Sequence, residues 1–361
     1  MLKNKILALL GAAMIACSAA AAESAEDAKV AEADSLSAWA KFEQRLNAPC
    51  NRVPQIHGVF RGRYEGEWED GYESRFQVRN MRVLLKGYIV PEIDYYVRVD
   101  LSNKGSFTFL DAWARWYFKP EWAVKFGRFR VPFGVDIFRG PGTYIFANRS
   151  FLAKNMANLR AVGVQFSYVG KKIPLTVDVG MFNSATGTNQ DVWQKEFDFA
   201  GKASYRLGEF ILSGSFLSMY PYGVRLNVAD GSVAWRRDRL LLEAEYQHLH
   251  YCKNAYRDVN AAVAFASYDV PVRWYPFNVL NFHGRWDYMG NHSTGKPDDN
   301  GVLLTDDPER QRMTFGASVR CNVKKVKAEF ILDFEKYFYR HGVSAPRGLG
   351  DKICAEVVVS F

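Results

Sequence analysis

From Gln55 to the last residue, hydrophobic and polar side chains alternate along the chain in a long series of short segments. In IDYYVRVDL, residues 93–101, apolar side chains occupy every second position, and Asp94, Arg98 and Asp100 fall between them. This period of two predicts a β-strand with one apolar face, because successive side chains of a strand point to opposite sides. The same pattern recurs in residues 56–64, 175–182, 279–288, 326–334 and 353–361.

The number and spacing of these segments predict how the strands assemble. About sixteen runs, joined by alternating short and long connections, are the pattern of an outer-membrane β-barrel. Aromatic residues gather near strand ends, as in WARWYF at 113–118, which is typical of the girdles at a membrane interface. We therefore predict an all-β fold, a transmembrane antiparallel β-barrel of about 16 strands. A soluble sandwich or propeller is the alternative, but no repeated blade motif is found. Short turns are predicted at 119–122, 169–172, 206–209 and 236–239, and long loops at 184–195 and 290–308.

The first residues predict a secreted protein. Two lysines precede an apolar run at 6–16, and three alanines precede Glu23, so residues 1–22 are predicted to be a signal peptide. Cys17 leaves a lipoprotein signal as an alternative. Nothing later in the chain is a continuous apolar run of about 18 residues, which argues against a membrane-spanning helix.

Residues 23–50 differ in composition from everything that follows, because they are rich in Ala and Glu and poor in β-branched residues. Apolar residues between Leu36 and Leu46 recur at spacings of three and four, which predicts one short amphipathic helix. We interpret this segment as a periplasmic helical extension that precedes the barrel at 51–361. A helix that enters the pore is the alternative.

The charge of the chain favours anionic partners, since the formal net charge is +8 and the sequence pI is about 9.1. The basic residues are spread at strand spacing rather than clustered, so nucleic acid is not a predicted partner. Cys50, Cys252, Cys321 and Cys354 follow the predicted cleavage site, and they form no CxxC or Cys/His spacing. We predict no metal and no cofactor.

The stretch KFGRFRVPFGVD, residues 125–136, places Arg128 and Arg130 on one face of a short strand that ends at Pro132. Lipid would penalise an arginine at mid-depth by about 2 to 4 kcal/mol. We therefore expect both arginines to point into a water-filled lumen and Phe129 to face lipid.

An ordered set of motifs surrounds this stretch. GRFRVPFG is followed by IFANRSFLAKNMANLRAVGVQFSY at 145–168 and VDVGMFNSATG at 177–187, and it is preceded by HGVFRGRY and by RNMRVLLKGYI at 79–89. In this order the motifs resemble the porin O and P family, the phosphate-selective porins. The resemblance implies a sixteen-stranded trimeric porin whose third extracellular loop folds into the lumen. That constriction loop would run from about Gly134 to Arg160, and its cations would be Arg139, Arg149, Lys154 and Arg160.

The same resemblance implies passive diffusion of small anions such as phosphate, because characterised members bind phosphate through a ladder of arginines and lysines. Guanidinium groups suit this role, since they bind oxyanions through two parallel hydrogen bonds. The residues predicted to line the anion path are Arg82, Arg98, Arg115, Arg128, Arg130 and Lys202. The alternative is that these cations only tie the wall together, since Asp94, Asp100 and Asp111 share their faces.

The predicted partners follow from the barrel and from the resemblance. The last strand alternates up to Phe361, and this ending resembles the signal that outer-membrane assembly machinery reads. We expect small anionic solutes, outer-membrane lipid, that assembly machinery and further copies of the chain in a homotrimer. The predicted location is the bacterial outer membrane.

Two other functions stay open. A general channel, or one specific for oligosaccharides or peptides, would have no phosphate selectivity, and Tyr96, Trp113 and Tyr117 could form an aromatic track in it. A barrel enzyme would draw on His248 and His250, but no nucleophile motif accompanies them, and we predict no enzyme.

Overall fold

The computed structural model describes most of the chain beyond its N-terminal segment. The described residues are 53–68, 71–103, 106–156, 159–170, 173–184, 193, 195–221, 223–323, 326–340, 343 and 345–361. The predicted signal peptide at 1–22 and the predicted helical extension at 23–50 lie outside them.

Sixteen antiparallel strands in this part of the chain close into a single barrel. Each strand pairs with its neighbours in sequence, and the first pairs with the last to complete the ring. The strands are β1 (Gln55–Glu67), β2 (Glu73–Val90), β3 (Ile93–Asn103), β4 (Ser106–Lys119), β5 (Trp122–Arg130), β6 (Arg160–Val169), β7 (Leu175–Asn183), β8 (Phe197–Leu207), β9 (Phe210–Met219), β10 (Leu226–Arg237), β11 (Leu240–Tyr251), β12 (Val259–Trp274), β13 (Phe277–Met289), β14 (Arg310–Val323), β15 (Val326–Tyr339) and β16 (Lys352–Ser360). The predicted all-β barrel is confirmed.

Burial follows the alternation in the sequence, but with polar residues inside. On β1, Arg61, Arg63 and Glu65 are buried, whereas Ile56 and Phe60 on the other face are exposed. A water-soluble protein would bury its apolar face instead. Exposed apolar side chains around a polar interior are what a membrane-spanning barrel requires, because lipid takes the place of the core.

The ring closes between the two ends of the chain. β1 and β16 pair from Val59 with Ser360 to Glu67 with Lys352. Beyond the strand, the backbone of Phe361 exchanges two hydrogen bonds with Gly58, of 2.8 and 3.0 Å. The Phe361 ring lies over Gly58, where a Cβ would collide with it. The terminal residue is therefore part of the seam of the barrel.

The connections differ between the two ends of the barrel. At one end the predicted turns at 119–122, 206–209 and 236–239 each link two strands through two residues. At the other end lie the longer connections, including 131–159, 184–196 and 290–309. Outer-membrane barrels keep short turns on the periplasmic side, so the longer connections are extracellular. None of the helices in the described residues is long and apolar enough to cross a membrane.

The loop at 131–159 is the third extracellular connection, and it folds into the barrel. It contains a 3-10 turn at Asp136–Phe138 and a π-helical turn at Leu152–Met156. Its apolar side chains form a buried cluster with inward-facing apolar residues of the wall, among them Leu217, Val228 and Leu249. The interior is therefore packed on one side rather than uniformly water-filled.

Candidate functional site

Two backbone hydrogen bonds to the wall fix the point at which the loop enters the lumen, and both depend on the turn at Gly134. Gly134 has a φ of +70°, and a Cβ there would lie 2.9 Å from Glu245 Oε1. The backbone N–H groups of Val135 and Asp136 each donate to the Glu245 carboxylate at 2.8 Å. A single inward acid on β11 thereby holds the turn, as the N–H groups at the start of a helical turn allow.

Asp136 organises the loop that follows. Its carboxylate accepts hydrogen bonds from Tyr144 and Ser150 and pairs with Arg139 at 2.8 Å. Burial on its own would raise the pKa of the Asp136 carboxyl, but Arg139 and the hydrogen bonds from Ser150 and Tyr144 hold that pKa below its ordinary value. Arg139 also pairs with Glu243 of β11, so the loop is cross-linked to the barrel at this point.

The middle of the loop rests on one side of the barrel, formed by the inward faces of β11, β13–β16 and β1, which we call the seating wall. Arg285 donates to the Asn148 carbonyl at 2.8 Å, and Arg312 donates to the Arg149 carbonyl at 2.7 Å. The Ala147 N–H donates to Asp333 at 2.8 Å. Further carbonyls of the loop accept from Arg61 and Arg63.

The charges of the seating wall are nearly sealed from water. The side chains of Arg61, Arg63, Arg285 and Arg312 are only 1% to 6% exposed. Each pairs with a carboxylate. Arg61 and Arg63 pair with Glu356, and Arg285 and Arg312 pair with Asp287. These cations support the loop and are not available to a solute.

The opposite side, the inward faces of β2–β6, keeps its cations accessible, and we call it the open wall. Arg82, Arg98 and Arg115 on it are 15% to 30% exposed. Arg82 pairs with Asp100 at 2.7 Å, and Arg115 makes two hydrogen bonds to Asp94. The predicted Arg/Asp rows therefore exist, and they leave the arginines partly open to the lumen.

Five arginines meet where the loop approaches the open wall: Arg82, Arg98, Arg130, Arg149 and Arg160, which we call the arginine cluster. Arg130 and Arg160 stand directly opposite each other in the β5–β6 register. The positive charges of Arg82, Arg149 and Arg160 all act on the Arg130 guanidinium. The carboxylates paired with the cluster are Asp100 and Asp111, the second of which is shared by Arg98 and Arg160. Positive charge is in excess here.

A second tier of cations lies nearer the periplasmic end. Arg115 and Lys125 oppose each other in the β4–β5 register. The Tyr96 and Trp113 rings stack with centroids 5.1 Å apart, and we call them the stacked pair. Arg98 lies 4.9 Å from the centre of the Tyr96 ring, and Arg115 lies 5.2 Å from that of Trp113. Both rings are in contact with cations, so they orient guanidinium groups rather than offer a free face to a sugar.

The structure corrects the assignment of Arg128. In the β4–β5 and β5–β6 registers it pairs with Ala112 and Val162, on the outward face that it shares with exposed Phe126. Phe129, expected to face lipid, is buried inside the barrel. The mid-depth penalty was the wrong criterion, because Arg128 lies two residues before the extracellular end of its strand, where a lipid-facing arginine costs only about 0 to 1 kcal/mol.

Arg130 reaches the interior although it shares the parity of Arg128. The chain turns into the lumen after β5, and the Arg130 guanidinium donates to the Ile137 carbonyl of the loop. The predicted loop boundary also needs adjustment, since Arg160 is the first residue of β6 and not part of the loop. The loop itself occupies 131–159.

The remaining predicted cations have varied surroundings. Lys202 donates to the Gly134 carbonyl and lies 4.7 Å from the centre of the Phe138 ring, so it anchors the loop. Arg149 donates to the Ile137 and Arg139 carbonyls. Lys154 is exposed on the extracellular side of the loop.

Sequence reasoning missed Lys125 and Arg79. Lys125 faces the interior with its ammonium group 3.9 Å from the centre of the Phe129 ring. The exposed position of Phe126 fixes this face, and taking the apolar face of β5 from Phe126 would have identified it. Arg79 is the extra residue of a β-bulge, where β2 shifts register against β1, and no alternation rule predicts its direction.

His248 and His250 lie on the outward face at the extracellular end of β11. They contact Asn260 and Asp258 and have no contact with the loop in the described residues. Across that part of the chain no group of three or more His, Cys, Asp or Glu residues could hold a metal ion.

Comparison with known proteins agrees with the resemblance noted in the sequence. Residues 55–206 match the family model described as phosphate-selective porin O and P. That range contains the constriction loop and the whole open wall from β2 to β6. No curated protein gives a significant match.

Solved structures share the fold at low sequence identity. OmpF of Salmonella typhi, solved in complex with daunomycin, is 12% identical, with a TM-score of 0.58 over 85% of this chain and 97% of that one. OprB of Pseudomonas putida is 12% identical, with a TM-score of 0.57 over 86% and 95%. A trimer form of OmpT of Vibrio cholerae is 9% identical, with a TM-score of 0.53 over 86% and 98%. At these identities the likeness concerns the fold alone.

The family match and the closed barrel lead to one conclusion. The protein is a porin-type channel of the bacterial outer membrane. Its strands cross that membrane, and its third extracellular loop narrows the lumen from the side of the seating wall.

Proposed function

We propose that this porin conducts small anions passively and that the arginine cluster is its selective constriction. The observation that carries the proposal is the excess of positive charge, since five arginines meet there with Asp100 and Asp111 as their paired carboxylates. A cation entering this space would face net repulsion. An anion would be attracted, most strongly where the low dielectric of the protein weakens screening.

The geometry of the cations favours oxyanions over chloride. Guanidinium groups offer paired N–H donors that match two oxygens of a phosphate, whereas chloride is a single spherical acceptor with no pair of oxygens to match that geometry. The family name points to the same ligand. Phosphate is therefore the anion that we propose this channel prefers.

Conduction requires that a bound anion leave again. Arg82, Arg98, Arg115 and Arg160 each have a carboxylate partner, which reduces their pull on a solute. The pair of Arg115 and Lys125 supplies a second station beyond the cluster. Several moderate sites in series allow an anion to move from one to the next, as permeation demands.

The arrangement favours a channel over an enzyme. The histidines considered for catalysis face outward, away from the space that a solute would cross. We further propose a homotrimer, by analogy with the trimer form of the Vibrio cholerae protein, and recognition of the Phe361 seam by the assembly machinery.

The test is the reversal potential of purified protein in a planar bilayer under a potassium chloride gradient, with phosphate then added. We expect a strongly anion-selective potential and a chloride current that low phosphate concentrations block. A weakly selective conductance that phosphate leaves unchanged would instead support a general diffusion pore. In that case the arginines would serve only to hold the wall together.

A further inference from the structure

The periplasmic rim of the barrel carries a concentration of exposed arginines that the permeation pathway does not use. Arg206, Arg236, Arg237, Arg239 and Arg273 lie at the ends of β8, β10, β11 and β12, around the short turns. Two acids lie in the same turns: Glu209, which contacts Arg237 at 3.8 Å, and Asp238, which lies between Arg237 and Arg239, and they offset the five arginines only in part. The rim therefore presents net positive charge at the level of lipid headgroups.

Directly above this rim, the outward face of the barrel has a groove of about 730 Å³. Its floor consists of small residues that are neighbours in register: Ala244 with Ala264, and Ala266 with Gly284. Trp235 forms one side, and Phe315 forms the other. Larger outward side chains, among them Leu242, Trp286 and Met313, surround these small residues, so the small residues create a recess in the membrane-facing surface.

The groove and the basic rim are continuous. Trp235 lines both the groove and a second recess of about 530 Å³. The other residues lining that recess are Arg237, Asp238, Arg239, Leu240 and Tyr268, so two cations face a headgroup there beside one acid. From Arg239 to Ala244 the strand advances five residues, or about 17 Å at 3.4 Å per residue. One leaflet of a bilayer has a hydrocarbon thickness of about 15 Å. The combined recess thus matches the length of one acyl chain with a headgroup at its mouth.

We propose that this surface binds an anionic phospholipid of the inner leaflet, with an acyl chain in the groove and its phosphate against Arg237 and Arg239. The expected ligand is a lipid, because the groove lies within the membrane-facing band. The arginines favour an anionic headgroup over a zwitterionic one, because a zwitterionic lipid carries a cation that they repel. The neighbouring turn arginines strengthen this preference.

Native mass spectrometry of the purified oligomer tests the proposal, with phosphatidylglycerol and phosphatidylcholine of identical acyl chains titrated in turn. We expect wild-type protein to retain phosphatidylglycerol at least about fivefold more tightly, since each basic residue near a membrane surface contributes measurably to anionic lipid binding. R237Q/R239Q should lose this headgroup preference. A264F, which fills the floor of the groove, should lose retention of both lipids.

Two matched variants separate the site from general effects. Lys253→Asn/Arg257→Gln removes two charges from an extracellular connection, and Ala203→Phe adds the same ring at an outward position of β8 outside the groove. Both should retain lipid as the wild type does. Equal retention of the two lipids by the wild type, or lipid retention unchanged in A264F, would overturn the proposal. So would dissociation of the oligomer by A264F without any headgroup preference, because the groove would then hold a second copy of the chain.

Discussion

Two pairs of like charges oppose each other directly across neighbouring strands of the open wall, Arg130 with Arg160 and Arg115 with Lys125. Like charges in this position destabilise a sheet, and folded proteins tolerate such local conflicts mainly where function requires them. A permeating anion between the members of a pair would relieve their repulsion. These two like-charge pairs therefore support an anion path along the open wall.

Arg128 and Arg130 offer a direct test, because they are two residues apart with the same charge but different surroundings. We expect Arg130→Ala to weaken phosphate block about tenfold, which corresponds to about 1.4 kcal/mol. Arg128→Ala should leave the block unchanged, since Arg128 lies on the outward face. The measurement is phosphate titration of chloride current in a bilayer. An equal effect of both substitutions would refute the different placement of the two arginines.

The stacked pair gives a second prediction. Tyr96→Leu removes the ring beside the Arg98 guanidinium and should weaken phosphate block about two- to fivefold, because an exposed cation–π contact contributes about 0.5 to 1 kcal/mol. Tyr96→Phe keeps the ring and should behave as the wild type. If the rings instead form a sugar track, both variants should leave phosphate block unchanged and Tyr96→Leu should weaken block by an oligosaccharide.

The loop at 131–159 is held to the seating wall by buried charges, whereas on the other sides Arg130 and Lys202 donate to its carbonyls. Its existence and its entry after Pro132 could be predicted, because an ordered motif set marked them. The wall on which it rests could not be predicted. Arg61, Arg285 and Arg312 look like any inward cation in the sequence, and only the three-dimensional register shows that they donate to loop carbonyls.

Asp136 is the residue of the loop whose removal should change conductance most. Asp136→Asn deletes one of the two carboxylates that pair with Arg139, so that Arg139 keeps Glu243 as its partner on the barrel. We expect a larger single-channel conductance and weaker anion selectivity, as the loop loosens. Asp299→Asn, an exposed acid of another extracellular connection, is the matched control. Unchanged conductance in Asp136→Asn would show that the other anchors suffice.

The same carboxylate predicts a pH dependence of the wild-type channel. The pKa of Asp136 in the folded protein lies below its ordinary value of 3.8. Its stabilisation of the loop is therefore complete above about pH 4 and is lost as the pH falls through the lower folded value. Single-channel recordings should show steady conductance from pH 7 to about pH 5 and an increase only in stronger acid. A change near neutral pH would point to another titrating group.

At the scale of the whole molecule, the alternation of the sequence was sufficient to predict a closed barrel of transmembrane strands. The predicted strand at 93–101 and the structural one, Ile93–Asn103, differ by two residues at one end. Alternation failed where a strand ends or bulges, at Arg130 and Arg79, because the chain there leaves the regular pleat. At Arg128 alternation held, and the expected lipid penalty gave the wrong face. The candidate site is built mostly at such positions, so its details needed three-dimensional structure.

The anion selectivity of the whole lumen should depend on salt concentration. Screening shortens the reach of charge from about 10 Å at 0.1 M salt to about 3 Å at 1 M. Anion selectivity measured by reversal potential should therefore fall as potassium chloride rises over this range, if it arises from the summed field of the arginine cluster. Selectivity that stays constant across the range would mean direct coordination dominates.

The seating of the loop against one wall has a consequence for engineering. Substitutions on the seating wall should behave as folding variants, since they disturb sealed ion pairs, whereas substitutions on the open wall should alter what passes through and leave the scaffold intact. The interior is thereby divided into a structural half and an adjustable half. A designer could replace cations between β2 and β6 to redirect this channel toward other solutes while the rest of the barrel is left untouched.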